Sequence, residues 1–224
     1  MNWSEFGDPI VRSIQVATFA SMFVMLIGIA AAWWITHTHF RGKSIIETVF
    51  MLPLVLPPTV VGFLLLVIFG RHGWFGELLR WLLNVNVLFT WWAAVIASVI
   101  VAFPLVYQTM KTGFRSVDRE CEDAARSSGA NEWQVFRYIS LPLCSRSLLT
   151  AFILGFARGL GEFGATLMLA GNIPGKTQTI PTAIYVAVNL GDNVLAWAWT
   201  SSAIAISFIL LWFTNRQEKE INKN

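Results

Sequence analysis

The sequence predicts an all-α membrane protein built as a single transmembrane domain over residues 1–224. Two observations predict this class. Of the 224 residues, 55% are hydrophobic and 13% are charged, whereas an average soluble domain has roughly 25% charged residues. Apolar runs also reach the roughly 20 residues that an α-helix needs to cross a bilayer core about 30 Å thick.

Five apolar segments are long enough to cross the bilayer, so five transmembrane helices are predicted. The fourth segment is the most informative, because it carries Arg158 and Glu162 within its apolar run. A further segment at residues 179–190 is too short to span and is predicted to form one short re-entrant or interfacial helix. The five predicted spans are residues 10–36, 44–69, 90–112, 145–170 and 196–213.

Basic residues are unequally distributed between the two sides of the predicted bundle. The loops after the first and third spans and the C-terminal tail together hold eleven Lys and Arg residues, and the opposite side holds four. Because Lys and Arg are enriched in cytoplasmic loops, we expect these loops and the C-terminus in the cytoplasm and the N-terminus outside. Residues 1–9 hold Glu5 and Asp8 without a basic segment, so no cleaved signal peptide is expected.

Two apparent nucleotide-binding motifs lack the structural context that such motifs need. Residues 159–164 match the dinucleotide pattern GxGxxG, but they lie within an apolar span that has no βαβ unit around it. Residues 41–44 end in GKS, yet His37 stands where a phosphate-binding loop has its first glycine. The two cysteines form no CxxC pattern. We therefore predict no catalytic residue and no cofactor, metal ion or nucleic acid bound by this chain.

The second predicted span contains three prolines, Pro53, Pro57 and Pro58. Each removes a backbone donor that lipid cannot replace, so this segment is expected to bend and to face protein or a water-filled path. Pro104 is expected to bend the third span more mildly. Bent helices can act as hinges, and a static kink that aids packing is an equal alternative for any one of these prolines.

A polar segment at residues 118–143 separates the third and fourth predicted spans. Asp118 is placed to cap a first helix, Gly129 to end it and Asn131 to cap a second short helix. Small residues around the glycine would let another protein approach the backbone closely, but a solvated connector could look the same. The second helix is expected to present one face formed by Trp133, Phe136 and Ile139.

Three stretches combine into a more specific pattern. In the polar segment, Glu122-Asp123-Ala124-Ala125 is followed by Gly129 and then by Ile139-x-Leu141-Pro142, which is similar to an EAA loop with one additional residue. The other stretches are residues 52–62 and residues 157–166, the latter followed by residues 171–179. Together they resemble the permeases of binding-protein-dependent ABC importers, and most closely the molybdate branch. The resemblance covers nearly the whole chain.

The resemblance implies a permease subunit that moves a tetrahedral oxyanion, most closely molybdate, into the cytoplasm, while a separate ATPase chain hydrolyses ATP. It implies a cytoplasmic coupling helix, a homodimer of permease subunits, two ATPase subunits, an extracytoplasmic binding protein and a location in the bacterial inner membrane. The implied coupling residues are Glu122, Asp123, Ala124, Ala125, Gly129, Ile139, Leu141 and Pro142.

Other transporters are the alternatives. Sulfate and tungstate permeases are close relatives of the molybdate branch, so the identity of the oxyanion stays open between them. A secondary transporter is expected to show inverted repeats with paired broken helices, and a channel is expected to show a repeated filter sequence. The sequence shows neither pattern, which makes both classes more remote.

Arg158 and Glu162 lie four residues apart, which places them on one face of a helix. Ionisable groups at membrane depth are usually paired, so we expect a buried ion pair that holds the cytoplasmic half of the fourth span near the polar segment. Direct contact with the transported anion is the alternative. Hydroxyls and amides are better suited to bind an oxyanion without trapping it. The hinge or pathway candidates are Pro53, Pro57, Pro58, Thr59, Pro104 and Thr166.

Overall fold

The computed structural model describes residues 3–70, 73–83 and 86–221, and these residues form helices and no β-strand. In the polar segment, the helix Glu132–Val135 continues without a break through a π-helical segment, Phe136–Ser140, into a final turn, Leu141–Leu143. The helices are α1 Trp3–His37, α2 Lys43–Val55, α3 Pro58–Phe69, α4 Trp74–Leu83, α5 Trp91–Arg115, α6 Arg119–Ser127, α7 Glu132–Val135, α8 Leu141–Leu143, α9 Ser145–Leu160, α10 Gly164–Ala170, α11 Ile180–Asn189 and α12 Asn193–Ile221.

Three helices are long and apolar enough to cross a membrane unbroken, namely Phe6–His37, Trp91–Arg115 and Asn193–Trp212. The predicted second span is instead two helices, because α2 and α3 meet at a bend of 114°. The predicted fourth span is also broken, since residues 161–163 separate α9 from α10. Among the described residues there are therefore three unbroken candidate spans, or up to five if each of two bent helix pairs counts as one span, namely α2 with α3 and Glu132–Leu143 with α9.

Proline chemistry accounts for the break between α2 and α3. Leu56 adopts an extended conformation, with φ −71° and ψ 142°, as expected for a residue that precedes proline. Pro58 then occupies the first position of α3, where its missing N–H costs nothing. Pro53 and Pro104, by contrast, lie inside continuous helices. The prediction that Pro104 bends the third span into a hinge is not supported by a break, because α5 runs through it.

The core of the bundle is the contact of α1 with α5 and α9. Gly28 of α1 and Gly155 of α9 both face Val106 of α5, and an added Cβ would lie 2.7 Å and 2.9 Å from its methyl groups. Glycine at these two positions lets three helices approach one another closely, which is how helices gain packing energy in lipid. Gly159 has more room, because its nearest neighbour would be 3.7 Å from an added Cβ.

The two ends of the bundle differ. We call one end the loop face and define it as the C-terminal ends of α1 and α5 together with residues 116–144. At the opposite end, the Ser13 hydroxyl accepts a hydrogen bond from the Ile180 backbone, which joins α11 to α1. The predicted short helix at residues 179–190 is thus α11, and it packs against α1 and α12. Helix α2 lies in the half of the bundle near the loop face, and α3 lies in the other half with α10.

Candidate coupling site on the loop face

The polar segment folds into two helices joined by a glycine corner. Asp118 accepts a hydrogen bond from the Glu120 backbone at 2.9 Å and so begins α6. Gly129 has φ +92°, and the bonds from its N–H to Arg126 and from the Ala130 N–H to Ala125 close a Schellman motif. This corner requires a left-handed residue, which is why glycine is present there.

A reciprocal pair of hydrogen bonds begins the second helix. The Asn131 side chain accepts from the Gln134 backbone at 2.9 Å, and the Gln134 side chain accepts from the Asn131 backbone at 2.8 Å. This capping box satisfies donors that the first turn of a helix leaves without partners. The chain then bends by 76° between Glu132–Leu143 and Ser145–Leu160. The turn into α9 therefore follows Pro142 by two residues, at Cys144.

Glu122 fastens α6 to the rest of the bundle, although its neighbours on that helix are mostly exposed. The residue is 4% exposed, and its carboxylate accepts a hydrogen bond from the Ser140 hydroxyl at 2.6 Å. The other carboxylate oxygen lies 3.2 Å from Nε2 of His37, at the end of α1. Arg126 lies 3.5 Å from the same oxygen. One carboxylate thus connects α6, the π-helical segment and the first span.

His37 lies between two hydrogen-bond acceptors. Its Nε2 faces Glu122, and its Nδ1 lies 3.0 Å from the backbone carbonyl of Trp33. A neutral imidazole can donate to only one of these acceptors, whereas the protonated ring can donate to both. The ring also stacks on Trp33, with 3.5 Å between the ring centroids. These contacts place the imidazole of His37, which is a cation when it is protonated, against the buried carboxylate of Glu122.

Arg126 joins the two helices of the corner. Its Nε and Nη2 donate to the two oxygens of Glu132 at 2.8 Å and 3.2 Å, and its Nη1 donates to Asp123 at 2.8 Å. The hydrogen bond from Arg126 holds the pKa of the Glu132 carboxyl below its usual value. The same bond raises the pKa of the Arg126 guanidinium. The two-point contact fixes the angle between α6 and α7.

Aromatic packing of Phe136 anchors the second helix to the bundle. The ring of Phe136 lies 5.0 Å from that of Trp33 and 6.2 Å from that of Phe114. Val135 is fully buried, whereas Trp133 is 68% exposed. The rings of Trp133 and Phe136 lie 5.4 Å apart, so these two residues of the predicted face are neighbours, but only Phe136 reaches the other helices. The helix changes to π-helical geometry at Phe136.

The predicted coupling residues divide between two roles. Glu122 is buried inside the fold, so the expectation that it contributes to a docking surface needs correction. A shallow groove between the two helices is lined by Gly129, Ala125 and Ile139. The remaining predicted residues are exposed or half-buried on the loop face, namely Asp123, Ala124, Leu141 and Pro142.

The role of this site is structural. We call the contacts of Glu122 with His37, Ser140 and Arg126 the brace. The carboxylate of Glu122 is occupied by donors from three elements, and an occupied carboxylate does not act as a base or a metal ligand. Within the described part of the chain, no group of three or more His, Cys, Asp or Glu side chains is placed to hold a metal ion. The arrangement can hold an exposed helical hairpin in a fixed position.

The breaks in the two interrupted spans lie against each other. A Cβ added at Gly164, the first residue of α10, would lie 3.1 Å from the Pro58 side chain and 3.1 Å from the backbone nitrogen of Thr59. Thr166 is 1% exposed, and its hydroxyl has no hydrogen-bond partner among the described residues. The structure therefore contains two neighbouring broken helices, a feature that the sequence did not reveal.

Arg158 and Glu162 form an ion pair, with 2.7 Å between Nη1 and Oε2. The Glu162 side chain is 1% exposed and that of Arg158 is 27% exposed, so only the glutamate is fully buried. Glu162 also accepts a hydrogen bond from the Ala165 backbone at 2.8 Å and thereby begins α10. Arg158 lies roughly 20 Å along α9 from Ser145, at 1.5 Å per residue. The pair is therefore far from the polar segment, not beside it as expected.

A second ion pair, between Lys111 and Glu47, was not anticipated. Nζ of Lys111 lies 2.7 Å from Oε1 of Glu47, and Lys111 is 7% exposed. The prediction that Lys111 lies in a loop is wrong, because α5 continues to Arg115. An acidic residue inside the apolar run of the second span was the signal that could have revealed this pair.

Comparison with known proteins gives consistent matches. Residues 24–223 match the family model described as binding-protein-dependent transport system inner membrane component. The chain is 56% identical over 215 residues to YvgM of Bacillus subtilis (strain 168), named as a molybdenum transport system permease, with 96% of this chain and 95% of that protein covered. It is 42% identical over 181 residues to the molybdenum transport system permease protein ModB of Escherichia coli (strain K12), with 81% and 79% covered.

A sulfate transport system permease protein, CysT of Escherichia coli (strain K12), is 31% identical over 234 residues, with 100% of this chain and 83% of that protein covered. Among solved structures, a chain of the inward-facing MetNI methionine ABC transporter superposes with a TM-score of 0.72 at 14% identity, covering 95% of this chain and 94% of that one. These relatives are transport components and not enzymes. The chain belongs to the family of binding-protein-dependent transport system inner membrane components.

Proposed function

We propose that this chain is the permease subunit of an ABC importer that carries molybdate into the cytoplasm. The observation that carries this proposal is the exposed hairpin of α6 and α7, which buried Glu122 fixes to the first span. A rigid, exposed hairpin of small residues is suited to transmit the movement of a partner to the spans. In this proposal the ATP is hydrolysed by a separate subunit.

The partners follow from this assignment. Two copies of this chain form the transmembrane part, two ATPase subunits bind the hairpins, and a binding protein delivers the anion from the other side. The family description as a binding-protein-dependent transport system supports the last of these. Closure of the ATPase pair moves the hairpins, and the spans then rock about the two neighbouring helix breaks while α1, α5 and α9 stay packed together. No cofactor is bound by this chain in the proposal.

The loop face lies in the cytoplasm in this proposal, with the N-terminus outside and the C-terminus inside the cell. The excess of basic residues on the loop side supports this orientation, even though Lys111 must be removed from the count because it is buried. Two of the counted residues, Arg71 and Lys223, lie outside the described residues. The family description as an inner membrane component supports a location in the bacterial inner membrane.

The transport pathway is proposed to run past the two neighbouring helix breaks. Broken helices at membrane depth commonly border substrate paths in transporters, because irregular backbone is tolerated where it lines a cavity. The candidates there are Pro57, Pro58, Thr59 and Thr166, and Pro53 lies one turn earlier, inside α2. The ion pair of Arg158 and Glu162 stabilises the second break, since its glutamate begins α10.

The substrate is proposed from the relatives. The 56% and 42% identities to molybdenum transport permeases exceed the 31% identity to a sulfate transport permease. Molybdate is therefore favoured, and sulfate and tungstate are the alternatives. A stand-alone channel or a secondary transporter is disfavoured by the family, although the paired breaks would also suit a secondary transporter.

Uptake of labelled anions tests the proposal. Cells that lack this chain are expected to lose high-affinity uptake of molybdate and to regain it with the wild-type chain, while uptake of labelled sulfate stays unchanged. Equal restoration of sulfate uptake would move the assignment to the sulfate alternative. Restoration of uptake without any ATPase partner would contradict an ABC importer.

A further inference from the structure

A polar cleft on the loop face is separate from the groove between α6 and α7. It has a volume of about 250 Å³ and lies between the ends of α1 and α5 and the start of α6. Its basic lining comes from all three helices and their connections, with His37 and His39 at the end of α1, Arg115 at the end of α5, and Arg119 and Arg126 on α6. The brace around Glu122 forms one wall.

Two of these arginines have guanidinium groups that no other described residue engages. Arg115 and Arg119 are exposed, and neither forms a hydrogen bond or an ion pair with any residue in the described part of the chain. Arg126 differs, because Asp123 and Glu132 engage its guanidinium. The cleft therefore holds two guanidinium groups with free donors.

The lining of the cleft holds more guanidinium groups than carboxylates. Arg115, Arg119 and Arg126 stand against Glu122 and Asp123, and only Arg126 is already engaged by acidic side chains. With both histidines neutral, the lining therefore carries one net positive charge. Guanidinium groups present several N–H donors in a planar fork, which matches the geometry of a phosphate group.

Aromatic residues place the cleft at the level of lipid headgroups. Trp34 and Phe40 stack with 5.7 Å between ring centroids, and they are 46% and 37% exposed on either side of His39 in the chain. Exposed tryptophan at the end of a span lies in the headgroup layer of a bilayer. Basic pockets between transmembrane helices at this level bind anionic headgroups.

We propose that this cleft binds the phosphate of an anionic phospholipid headgroup, held by Arg115 and Arg119. A lipid bound there would rest against the brace that joins α6 to α1. The proposal is independent of the transported anion, because lipid binding can be measured on the purified chain without any transport assay.

Lipid binding to the purified full-length chain in detergent tests this site. Native mass spectrometry measures the Kd for dioleoylphosphatidylglycerol, an anionic lipid, and for dioleoylphosphatidylcholine, which has no net charge. The wild type is expected to prefer the anionic lipid. The double variant R115Q/R119Q is expected to bind it about 10- to 30-fold more weakly, since each basic residue near an anionic surface contributes a factor of roughly five.

Matched variants separate lipid binding from general effects of charge and fold. R137Q removes an exposed arginine on the same face but outside the cleft, and it should leave the Kd unchanged. R115K/R119K keeps the charge and should retain most of the binding. If the double glutamine variant does not fold, the single variants R115Q and R119Q should each weaken binding by about fivefold.

Three results would overturn the proposal. Equal binding of the anionic lipid by the wild type and R115Q/R119Q would remove the cleft as its site. Displacement of the lipid by inorganic phosphate at millimolar concentration would assign the cleft to a free anion. Loss of ATPase copurification in R115Q/R119Q, with the lipid Kd unchanged, would assign these arginines to contact with the ATPase.

Discussion

At the scale of single residues, the candidate site depends on one buried acid and one glycine. Glu122 lies in a helix of mostly exposed and small residues, yet it is only 4% exposed, and three hydrogen-bond donors surround its carboxylate. Gly129 has the opposite character, since it lies at the surface with no atom within 4 Å of an added Cβ. The first residue is required by the fold, and the second leaves space for a partner.

Variants of Gly129 distinguish backbone strain from partner contact. Gly129→Asn tolerates φ +92° better than Gly129→Val, so valine should lower the stability of the chain by about 1 kcal/mol more than asparagine. If an ATPase surface packs on the corner, both variants should lose most of the copurified ATPase. Normal ATPase capture by Gly129→Asn would restrict the role of this glycine to the backbone. The comparison requires the melting temperature and the copurified ATPase of each variant.

Variants of Glu162 separate its charge from its role in beginning α10. Glu162→Gln can still accept the hydrogen bond from Ala165, but it leaves the Arg158 guanidinium without its anion. We expect a loss of stability on the order of 1–3 kcal/mol, and a larger loss for Glu162→Ala, which removes the cap as well. The double variant R158Q/E162Q should recover part of the loss in a double-mutant cycle of melting temperatures. Strict additivity of the two single changes would show that the pair is not coupled.

At the scale of elements, two sets of contacts attach α2 and α6 to the rest of the bundle. Helix α2 has no fully buried residue, and it is held to α5 by the ion pair of Glu47 and Lys111 and by the packing of Phe50 on Phe103 and Tyr107. Helix α6 is held to α1 by Glu122. Both connections lie on the loop-side half of the bundle.

Removing one partner of the Glu47–Lys111 pair should loosen α2. Lys111→Met leaves the Glu47 carboxylate without its cation, and we expect a loss of about 1–3 kcal/mol in stability together with impaired transport. The charge exchange E47K/K111E should restore both in part. Hydrogen exchange measured by mass spectrometry over residues 43–55 should show faster exchange in Lys111→Met and not in the exchanged pair. Unchanged exchange in Lys111→Met would mean that aromatic packing alone holds this helix.

The corner between α6 and α7 should weaken in acid. The pKa of Glu132 is lowered in the fold from an ordinary value of 4.5, so its bond to Arg126 stabilises the corner above that value and is lost as pH falls through the lowered pKa. Amide exchange of residues 119–135 should therefore become less protected below about pH 4.5, relative to the spans. Glu132→Gln should remove this pH dependence, and a variant that keeps it would assign the effect to another carboxylate.

At the scale of the whole molecule, the bundle separates a rigid part from an interrupted part. The first is the packing of α1, α5 and α9 around Val106, where glycines permit close contact. The second is the pair of broken spans, whose breaks meet at Pro58 and Gly164. In the proposed function, the bundle would rock about the two helix breaks, and the close contact of α1, α5 and α9 would stay intact.

The orientation of the molecule can be read from one native cysteine. Cys121 is exposed on α6, whereas Cys144 is buried. A membrane-impermeant maleimide should therefore leave the wild-type chain unlabelled in intact cells and label Cys121 in inverted membrane vesicles. The variant C121S/K176C places the thiol at an exposed position at the other end of the bundle and should show the reverse pattern. Labelling of Cys121 from outside intact cells would invert the proposed topology.

The sequence alone was sufficient to predict the helix–glycine–helix structure of the polar segment. The helix ends depend on interactions between residues fewer than six positions apart, so Asp118, Gly129 and Asn131 specified the corner without any tertiary contact. The π-helical turn is different, because it rotates Phe136 toward Trp33 and Phe114 on other helices. Those distant partners explain why Phe136 is half-buried while Trp133 is exposed.

By itself, the sequence determined the all-α membrane class, the position of the three unbroken spans and the helix–glycine–helix segment, because apolar length and capping chemistry act locally. Tertiary structure decided which charges meet. Glu122 reaches His37 across 85 positions and Lys111 reaches Glu47 across 64, and no periodicity within one segment encodes such pairs. It also decided that the breaks near Pro58 and Gly164 meet, since a kink in one helix gives no information about which helix packs against it.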